Sequence, residues 1–282
     1  MDKRKYLFIG ARFYCLEQML NLNLNIVCIA AYKDSFLEKE LIKRNINYVT
    51  YASKKEALEI INNTSFDILV SNGCPYILPI SKLKKNDEKF INIHPSLLPD
   101  LRGINPINGA ILFDRPQGAT CHYMDDGIDT GATIAQVVVT KKVDMPLDLL
   151  YQLSFRAEAE AFVKAYNKNF EPIKRKKSLK GTIYYSRKIE DQILTKKDSI
   201  DLIIRKVEAF KIEGQYARFI KNNDTYFVKD LKIISTELYK GKYKRNEILL
   251  IYGNNVLTKI NKQFFLYRLD KVDNLEVGEI LF

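Results

Sequence analysis

Hydrophobic residues in the first part of the chain form short continuous runs that alternate with longer segments of helical spacing. Continuous apolar runs of this length are typical of strands that are buried on both faces of a parallel sheet. Strands are predicted in this way over residues 6–9, 25–31, 47–51, 66–71 and 90–93. Helices are predicted over residues 13–22, 33–44 and 54–62. This alternation predicts an α/β domain with a mainly parallel sheet and helices on both faces.

The pattern changes in the second half of the chain. Two strand-like segments, 118–124 and 132–140, flank the short segment 125–131, and a long amphipathic helix is predicted over about 147–168. From about residue 181, one helix (199–210) is followed by short runs rich in aromatic and β-branched residues. These predicted strands are 226–228, 231–235, 248–252, 256–260 and 264–269. They predict a smaller, mostly β domain, an antiparallel and partly open barrel.

The basic run KRKKSLK at 174–180 lies between the part of the chain that alternates strands and helices and the later part rich in β-strands. It is interpreted as a linker. Two domains are therefore expected: a catalytic domain over 1–178 and an accessory domain over 179–282, in which a helix precedes the partly open β-barrel. The chain has 282 residues, which is comfortable for two domains.

Charge and cysteine usage restrict the location and partners. The net charge of +11 fits either a solvated lysine-rich surface or a nucleic-acid footprint, and because it is spread along the chain we favour a phosphate-bearing small substrate. The apolar run near the N-terminus is too short for a signal peptide or membrane span. The four cysteines are scattered and are expected to be reduced thiols. We therefore expect a cytoplasmic protein with no membrane partner and no metal.

The two histidines of the chain, His94 and His122, both fall within residues 92–131. Histidine is the side chain that normally exchanges a proton near neutral pH. Asn92 and His94 lie at the end of a predicted parallel strand and point to the same side, because side chains alternate along a strand. Ligands bind at the carboxyl ends of such strands. This window is therefore the candidate site for imidazole chemistry.

A carboxylate from a separate loop completes the candidate site. Asp129 lies between Gly127 and Gly131, which permit a tight backbone course near a ligand. An imidazole, an amide and a carboxylate form a proton-transfer site without the nucleophile elbow of a serine hydrolase. The residues alone leave open a satisfied polar histidine and an ordinary aspartate turn. The D-x-D-x-D-G pattern of a calcium loop is absent.

The strings FINIHPSLLPDLRGINP and GATCHYMDDGIDTG resemble the formyltetrahydrofolate-dependent formyltransferases. This family includes glycinamide ribonucleotide, methionyl-tRNA and sugar N-formyltransferases, and the resemblance covers roughly residues 5–170. It implies a Rossmann-like catalytic domain and N10-formyltetrahydrofolate as the formyl donor. It also implies that Asn92, His94 and Asp129 are catalytic. The stretch 72–79 and the loop 124–128 are implied to hold the pterin, largely through backbone groups, with Tyr76, Ile77, Leu78, Asp125 and Asp126 as cofactor-binding residues.

The implied chemistry is attack of a neutral amine on a formyl carbon. Asn92 is expected to donate an N–H to the developing oxyanion, with protonated His94 as a second donor. With a pKa near its usual value of roughly 6.5, His94 is suited to carrying the proton that the amine loses. Asp129 is expected to orient and stabilise the imidazole, or to take the amine proton through a water.

The choice of acceptor rests on the later part of the chain. A purine-pathway enzyme would stop soon after the long helix, whereas SIDLIIRKVEAFKIEGQYARF resembles the start of the accessory domain of the methionyl-tRNA and sugar enzymes. The order Thr120-x-His122-x-Met124 and the residue Asn105 resemble the sugar type. Gly10-Ala11-Arg12-Phe13 departs from the G-T-P-x-F pattern of the tRNA enzymes.

The sugar branch is therefore favoured, with a nucleotide-linked amino-deoxysugar as substrate. A dTDP-linked sugar is the expected form, which would serve bacterial surface-polysaccharide synthesis. Its diphosphate would bind Arg102 and Arg12, although a solvent-facing Arg12 is an equal alternative. The predicted substrate-binding residues are Gly10, Arg12, Ser96, Arg102, Asn105 and Pro106.

Two other functions stay open. One is methionyl-tRNA formylation, in which the basic linker and the C-terminal lysines would contact phosphates; the favoured hypothesis has no nucleic-acid partner. The other is a nucleotide-binding module without catalysis. The aromatic-rich strands of the small domain could form a homodimer interface or the core of that domain.

Overall fold

The computed structural model describes residues 2–85, 87–140, 145–174, 180–234, 238 and 241–282. The chain forms two compact units. The first comprises residues 1–107, 116–143 and 150–185, and the second comprises 108–115, 144–149 and 186–282. The predicted boundary at 178/179 and most of the basic run 174–180 lie outside the described residues, so the boundary stays a prediction.

The first unit is built on a seven-stranded sheet with the order β3-β2-β1-β4-β5-β6-β7. The strands are β1 (Lys5–Gly10), β2 (Asn25–Tyr32), β3 (Val49–Tyr51), β4 (Ile68–Asn72), β5 (Lys89–His94), β6 (Gln117–Tyr123) and β7 (Thr133–Val139). Strands β1 to β5 are parallel, and β6 and β7 are antiparallel. The strand order reverses between β1 and β4. A crevice for ligands is expected outside the carboxyl ends of these strands.

The helices in this part of the chain are α1 (Tyr14–Asn21), α2 (Phe36–Lys43), α3 (Lys54–Asn63), α4 (Ile80–Leu83), α5 (Pro106–Leu112) and α6 (Leu147–Asn167). Helices α4 and α5 were not among the predicted elements, because both are too short to show helical periodicity. None of the described helices is long and apolar enough to span a membrane.

The sheet is buried on both faces. Tyr6 and Phe8 of β1 pack in a cluster with Phe162 of α6, whereas Leu7 and Ile9 pack in a second cluster that includes residues of α3. Because successive strand residues point to opposite faces, this alternation places one hydrophobic layer on each side. The continuous apolar run that predicted β1 is thus explained, and the predicted Rossmann-like α/β fold is confirmed.

The second unit contains a five-stranded antiparallel sheet with the order β10-β11-β12-β9-β8. Its elements are a 3₁₀ turn (Glu190–Gln192), α7 (Ile200–Ala209), β8 (Arg218–Lys221), β9 (Asp224–Ile234), β10 (Glu247–Tyr252), β11 (Asn255–Ile260) and β12 (Gln263–Leu269). Buried aromatic rings of the sheet pack in one core with Ile203 and Val207 of α7. The predicted mostly β C-terminal part is confirmed, and its aromatic residues supply its core.

Two predicted strands, 226–228 and 231–235, form one strand, β9, over the described residues. The pattern was interrupted by Lys229 and Asp230. Asp230 Oδ1 forms an ion pair with Lys211 Nζ at 2.5 Å, and the Lys229 ammonium lies over the ring of Tyr216. Partners for both charges allow the strand to continue through them.

Helices α2 and α3 begin with reciprocal capping interactions. Ser35 Oγ accepts a hydrogen bond from Glu38 N at 3.2 Å, and Glu38 Oε2 accepts one from Asp34 N at 2.6 Å. Ser53 and Glu56 repeat the arrangement at the start of α3. Each box satisfies backbone donors that a helix start leaves unpaired.

We predict that Ser35→Ala and Ser53→Ala each lower the free energy of unfolding by about 1 kcal/mol, because each removes a cap. Guanidinium unfolding of the whole chain measures the change. Ser65→Ala, which alters an exposed loop serine, is the matched control. An unfolding midpoint unchanged by both cap variants would contradict the assignment.

Candidate active site

A cavity of about 540 Å³ opens at the carboxyl ends of β4 and β5. Its wall is formed by residues 12, 71, 73–78, 92–95, 103, 104, 122, 124, 125, 127–129 and 184. The wall of the cavity is therefore formed by the ends of two parallel strands, by the loops that follow β1 and β4, and by the segment between β6 and β7. This is the place where the sheet topology predicts a ligand.

His94 and Asp129 meet in the cavity wall. His94 Nδ1 lies 3.6 Å from Asp129 Oδ2, and His94 Nε2 lies 2.9 Å from the carbonyl oxygen of Leu101. A carbonyl oxygen can only accept, so Nε2 carries a hydrogen and donates it to Leu101. The neutral ring then keeps its lone pair on Nδ1, next to the carboxylate.

Asn92 and His122 stand on the other side of Asp129. The two residues are direct partners in the antiparallel β5–β6 ladder. Asn92 Nδ2 lies 3.2 Å from His122 Nε2 and donates to Asp129 Oδ1 at 3.5 Å. His122 Nε2 is also 3.6 Å from Asp129 Oδ1, and its Nδ1 donates to the carbonyl of Tyr123 at 2.8 Å. The structure thus brings together Asn92, His94 and Asp129, with His122 as a fourth member.

The environment moves the pKa values of His94 and Asp129 in the same direction. Burial lowers the pKa of His94 below 6.5, although Asp129 and the Leu101 carbonyl act in the opposite sense. Burial alone would raise the pKa of Asp129, but His94, His122 and the Gly103 N–H hold it well below its ordinary value. At neutral pH the site therefore holds a neutral imidazole beside an ionised carboxylate. The expectation that His94 keeps its usual pKa is replaced by this lower value.

A backbone loop at residues 100–103 completes the site. Leu101 supplies the carbonyl that binds His94, and Gly103 N donates to Asp129 Oδ2 at 2.9 Å. The Asp100 carboxylate accepts hydrogen bonds from Leu101 N and Ile183 N at 3.0 and 2.8 Å. These backbone contacts could not be found from motifs, because they depend on the path of the chain and not on side-chain type.

The segment between β6 and β7 presents Asp129 in a left-handed conformation, with φ of 54°. Asp125 Oδ1 stabilises the turn by accepting hydrogen bonds from Gly127 N and from Thr130 Oγ1. A Cβ on Gly131 would overlap the backbone oxygen of Tyr123, so a larger residue cannot occupy this position. The D-D-G-I-D-T-G string thus folds into a tight turn that presents one carboxylate to the cavity.

Four of the five predicted cofactor-binding residues line the cavity, namely Tyr76, Ile77, Leu78 and Asp125. Asp126 lies outside its wall and accepts a hydrogen bond from Ser81 N at 3.0 Å. With Met124 and Ile128 these residues make one part of the cavity largely apolar. An apolar slot flanked by backbone groups suits a flat heterocycle.

Among the six predicted substrate-binding residues, Arg12 lines the cavity. The other five lie outside its wall: Gly10, Ser96, Arg102, Asn105 and Pro106. Ser96 is buried and donates its hydroxyl to the Asp100 carbonyl at 2.8 Å. Arg102 is held by backbone hydrogen bonds with Ile183 and Tyr185. Tyr184, which lines the cavity, was not predicted because it follows the basic run and belongs to no motif.

Within the described ranges no group of three or more His, Cys, Asp or Glu side chains is arranged to hold a metal ion. All four cysteines are free thiols, and burial raises the pKa of each of them.

Comparison with known proteins finds similarity over part of the chain. Residues 37–166 match the family model described as formyl transferase, which confirms the resemblance over this segment. A methionyl-tRNA formyltransferase of Acidiphilium cryptum is 37% identical over 139 residues, which are 48% of this chain and 45% of that protein. A GDP-perosamine N-formyltransferase of Brucella melitensis is 28% identical over 153 residues, 51% of this chain and 59% of that protein. The chain thus spans about half the length of these relatives.

Solved structures share the fold over nearly the whole chain. A sugar 3N-formyltransferase crystallised with dTDP and 5-N-formyl-THF has a TM-score of 0.71 at 20% identity, covering 96% of this chain and 99% of that one. An N-formyltransferase of Helicobacter canadensis, in complex with folinic acid and dTDP-3-aminofucose, has a TM-score of 0.70 at 17% identity and covers 94% and 99%. The two-part architecture is therefore that of known formyltransferases.

We predict that His94 titrates below 6.5 and that Asp129→Asn lowers its pKa further, because the carboxylate is what favours the imidazolium. Histidine-selective NMR over a pH series measures this directly, since the chain has two histidines and His122→Gln assigns the resonances.

Asp126→Asn is the matched control, as it neutralises an exposed carboxylate in the same segment. A pKa for His94 at or above 6.5, or a rise in Asp129→Asn, would show that burial does not govern this ring.

Proposed function

We propose that this chain, whose residues 37–166 match the formyl transferase family model, moves a formyl group from N10-formyltetrahydrofolate onto the amine of a nucleotide-linked amino-deoxysugar. A dTDP-linked sugar for surface-polysaccharide synthesis is the expected substrate. The observation that carries the proposal is the convergence of Asn92, His94 and Asp129 in the wall of one cavity.

The donor and the acceptor are assigned to different walls of the cavity. The apolar wall formed by residues 76–78 with Met124 and Ile128 suits the pterin of the donor. Arg12 supplies a cation for the acceptor's phosphates. The donor, when bound, supplies an electrophilic formyl carbon.

Asn92 is proposed to donate its side-chain N–H to the oxygen that becomes negative during transfer. The amide is positioned by its contacts with His122 Nε2 at 3.2 Å and with Asp129 Oδ1 at 3.5 Å before any ligand arrives. The N–H that makes the longer contact with Asp129 is the one proposed to turn to the oxyanion, a small reorganisation of a donor that is already in place.

His94 is proposed to take the proton that the attacking amine loses and to return it to the donor nitrogen as the bond between that nitrogen and the formyl carbon breaks. Its Nε2–H is committed to Leu101, so Nδ1 is the atom that accepts. The imidazolium formed would lie between the Leu101 carbonyl and the Asp129 carboxylate, which stabilise its charge. Asp129 thereby offsets the burial that keeps the resting ring neutral. A neutral resting imidazole replaces the protonated His94 that the sequence suggested as a second oxyanion donor.

Two observations support the sugar branch. His122 of the Thr120-x-His122-x-Met124 string contacts both Asn92 and Asp129, so the residue that resembles the sugar type is part of the site. The fold is also shared over almost the full chain with proteins solved with dTDP or a dTDP-linked amino sugar.

Methionyl-tRNA formylation is the second candidate, because the relative with 37% identity carries that name. A nucleotide-binding module without turnover is the third, and binding of donor and nucleotide without product would support it. The homodimer and the cytoplasmic location stay predictions.

We predict that Asn92→Ala, His94→Ala and Asp129→Ala fold and lose most turnover. The loss should be roughly 10²–10³-fold for Asn92→Ala and 10²–10⁴-fold for His94→Ala. The assay supplies formyl-tetrahydrofolate with a panel of nucleotide amino-sugars and initiator tRNA, and mass spectrometry detects the added formyl unit. In the wild type, turnover should fall as the pH drops through the lowered pKa of His94, because the imidazolium cannot accept a proton.

Asn62→Ala, on the exposed surface of α3, is the control for an asparagine substitution. Near-normal turnover in His94→Ala would remove the proposed base.

We predict a shallow salt dependence for acceptor binding, since a nucleotide sugar makes few ionic contacts. A polynucleotide that contacts several phosphates would bind with a logarithmic slope of about −0.9 per contact. Fluorescence titrations of dTDP and of initiator tRNA over a salt series distinguish the two. Tight tRNA binding with a steep slope, and tRNA formylation, would replace the sugar acceptor.

A further inference from the structure

A buried ion pair borders the cavity and takes no part in the chemistry above. Glu158 of α6 has a side chain that is 0% exposed, and its Oε1 accepts a hydrogen bond from Nη1 of Arg12. The Arg12 side chain is 24% exposed and lines the cavity. A fully buried carboxylate is rare unless it is paired, and this one is paired with the cation that faces the ligand space.

Arg12 is restrained by two further neighbours. Its guanidinium carbon lies 4.4 Å from the centre of the Phe155 ring, in a cation–π contact. Gly73 has φ of 75°, and a Cβ there would come within 3.1 Å of Arg12 Cγ. The side chain therefore has a defined position, and within the described part of the chain only its Nη1 is engaged by a hydrogen bond.

Arg12 is also the only Lys or Arg among the described residues that line the cavity. A planar guanidinium with free donors in a partly enclosed site is well suited to a phosphate or a carboxylate. The ligand chemistry at this position is therefore anionic.

The far side of the carboxyl carries a second observation. Glu158 Oε2 and Asn72 Oδ1 are both buried, and neither has a hydrogen-bond partner among the described residues. The Asn72 side chain is near enough to the Glu158 carboxyl to lower its pKa, but it leaves Oε2 without a donor. A buried carboxylate oxygen without a donor is costly, and protonation of the carboxyl reduces that cost.

We propose that Glu158 is a positioning residue that, in its protonated form, holds Arg12 as the anchor for the phosphates of the acceptor. The inference rests on the proposed function and adds Glu158, Asn72 and Phe155 to the residues that shape the acceptor subsite. When Glu158 is protonated, the Arg12–Glu158 pair has a net charge of +1, which attracts an anion. Ionised Glu158 neutralises Arg12 and weakens that attraction.

The electrostatics agree with the geometry. Burial raises the pKa of Glu158 to about 7, although Arg12 and Asn72 act to lower it. Among the described residues, Cys15 of α1 also faces Glu158, and burial raises its pKa well above its ordinary value, so that it stays neutral. The protonated form is therefore populated near neutral pH and is lost as the pH rises.

The test measures inorganic pyrophosphate binding by calorimetry at about pH 6 and about pH 8, in wild type, Glu158→Gln and Glu158→Ala. Glutamine is a neutral mimic of the protonated acid, so wild type and Glu158→Gln should bind alike at the lower pH. At the higher pH the wild type should bind about tenfold more weakly than Glu158→Gln, because only the protonated fraction is competent. Ionisation of the probe and of His94 cancels in this ratio. Glu158→Ala should bind weakly at both pH values, because Arg12 loses its partner.

Glu160→Gln, an exposed glutamate of the same helix, is the control and should match the wild type. Equal affinities of wild type and Glu158→Gln at both pH values, or undiminished binding in Glu158→Ala, would overturn the proposal. If Glu158→Ala fails to fold, Arg12→Lys replaces it. A lysine cannot reproduce the fork, so weakened binding supports the anchor and unchanged binding overturns it.

A kinetic experiment distinguishes the two anions that Arg12 could bind, the phosphates of the acceptor and the carboxylates of the donor. Glu158→Ala should raise the KM for the nucleotide amino-sugar severalfold and leave the KM for formyl-tetrahydrofolate unchanged. A rise confined to the donor KM would assign Arg12 to the donor's carboxylates and overturn the acceptor anchor. Pyrophosphate binding needs neither donor nor amino sugar. Its result therefore stands even if the chain formylates no sugar, and failure of the anchor is distinct from failure of the proposed function.

Discussion

The site depends on one buried negative charge, the carboxylate of Asp129. Removing a carboxylate from water is costly unless other groups replace its solvation. Here two imidazoles, the Asn92 amide and the Gly103 N–H lie around its two oxygens. The Asn92 amide and the Gly103 N–H donate to the carboxylate, and the same two contacts fix the positions of these donors. The geometry proposed for catalysis is thus also what makes a buried charge tolerable.

The supports for this arrangement come from backbone as much as from side chains. The Asp125 turn aims the carboxylate, and the loop at residues 100–103 supplies a carbonyl to His94 and an amide to Asp129. That loop is tied in turn to residues 183–185 through Asp100 and Arg102. A segment that follows the family-matched region therefore helps to position the residues of the site, which explains why motif spacing alone gives only part of it.

The strands that could be predicted from the sequence are those made of continuous apolar residues. The apolar runs of β1, β2, β4 and β5 lie in the sheet, and the common side of Asn92 and His94 follows from strand alternation. What could not be predicted depends on local electrostatics or on tertiary contacts. The pKa of His94 is set by burial that no pattern shows. Lys229 and Asp230 interrupted the predicted pattern of β9 because their partners, Tyr216 and Lys211, are distant in sequence. Arg12 had two equal interpretations, and the partner that decides between them is Glu158, 146 positions along the chain.

The two buried carboxyl groups of the cavity region illustrate how surroundings assign roles to one functional group. Asp129 accepts hydrogen bonds from Asn92 and Gly103 N and lies near two histidines, and its pKa is lowered, so it stays charged. Glu158 has one cationic partner and its Oε2 has no hydrogen-bond partner among the described residues, so burial prevails and its pKa rises to about 7. When environments separate the pKa values of like groups, the groups take different tasks. Under the proposed function, an anion beside His94 favours proton transfer from the amine, whereas a neutral acid beside Arg12 leaves that guanidinium free to attract an anion. Exchanging these protonation states would oppose both functions, since a neutral Asp129 would not stabilise the imidazolium and an ionised Glu158 would compete with the phosphate.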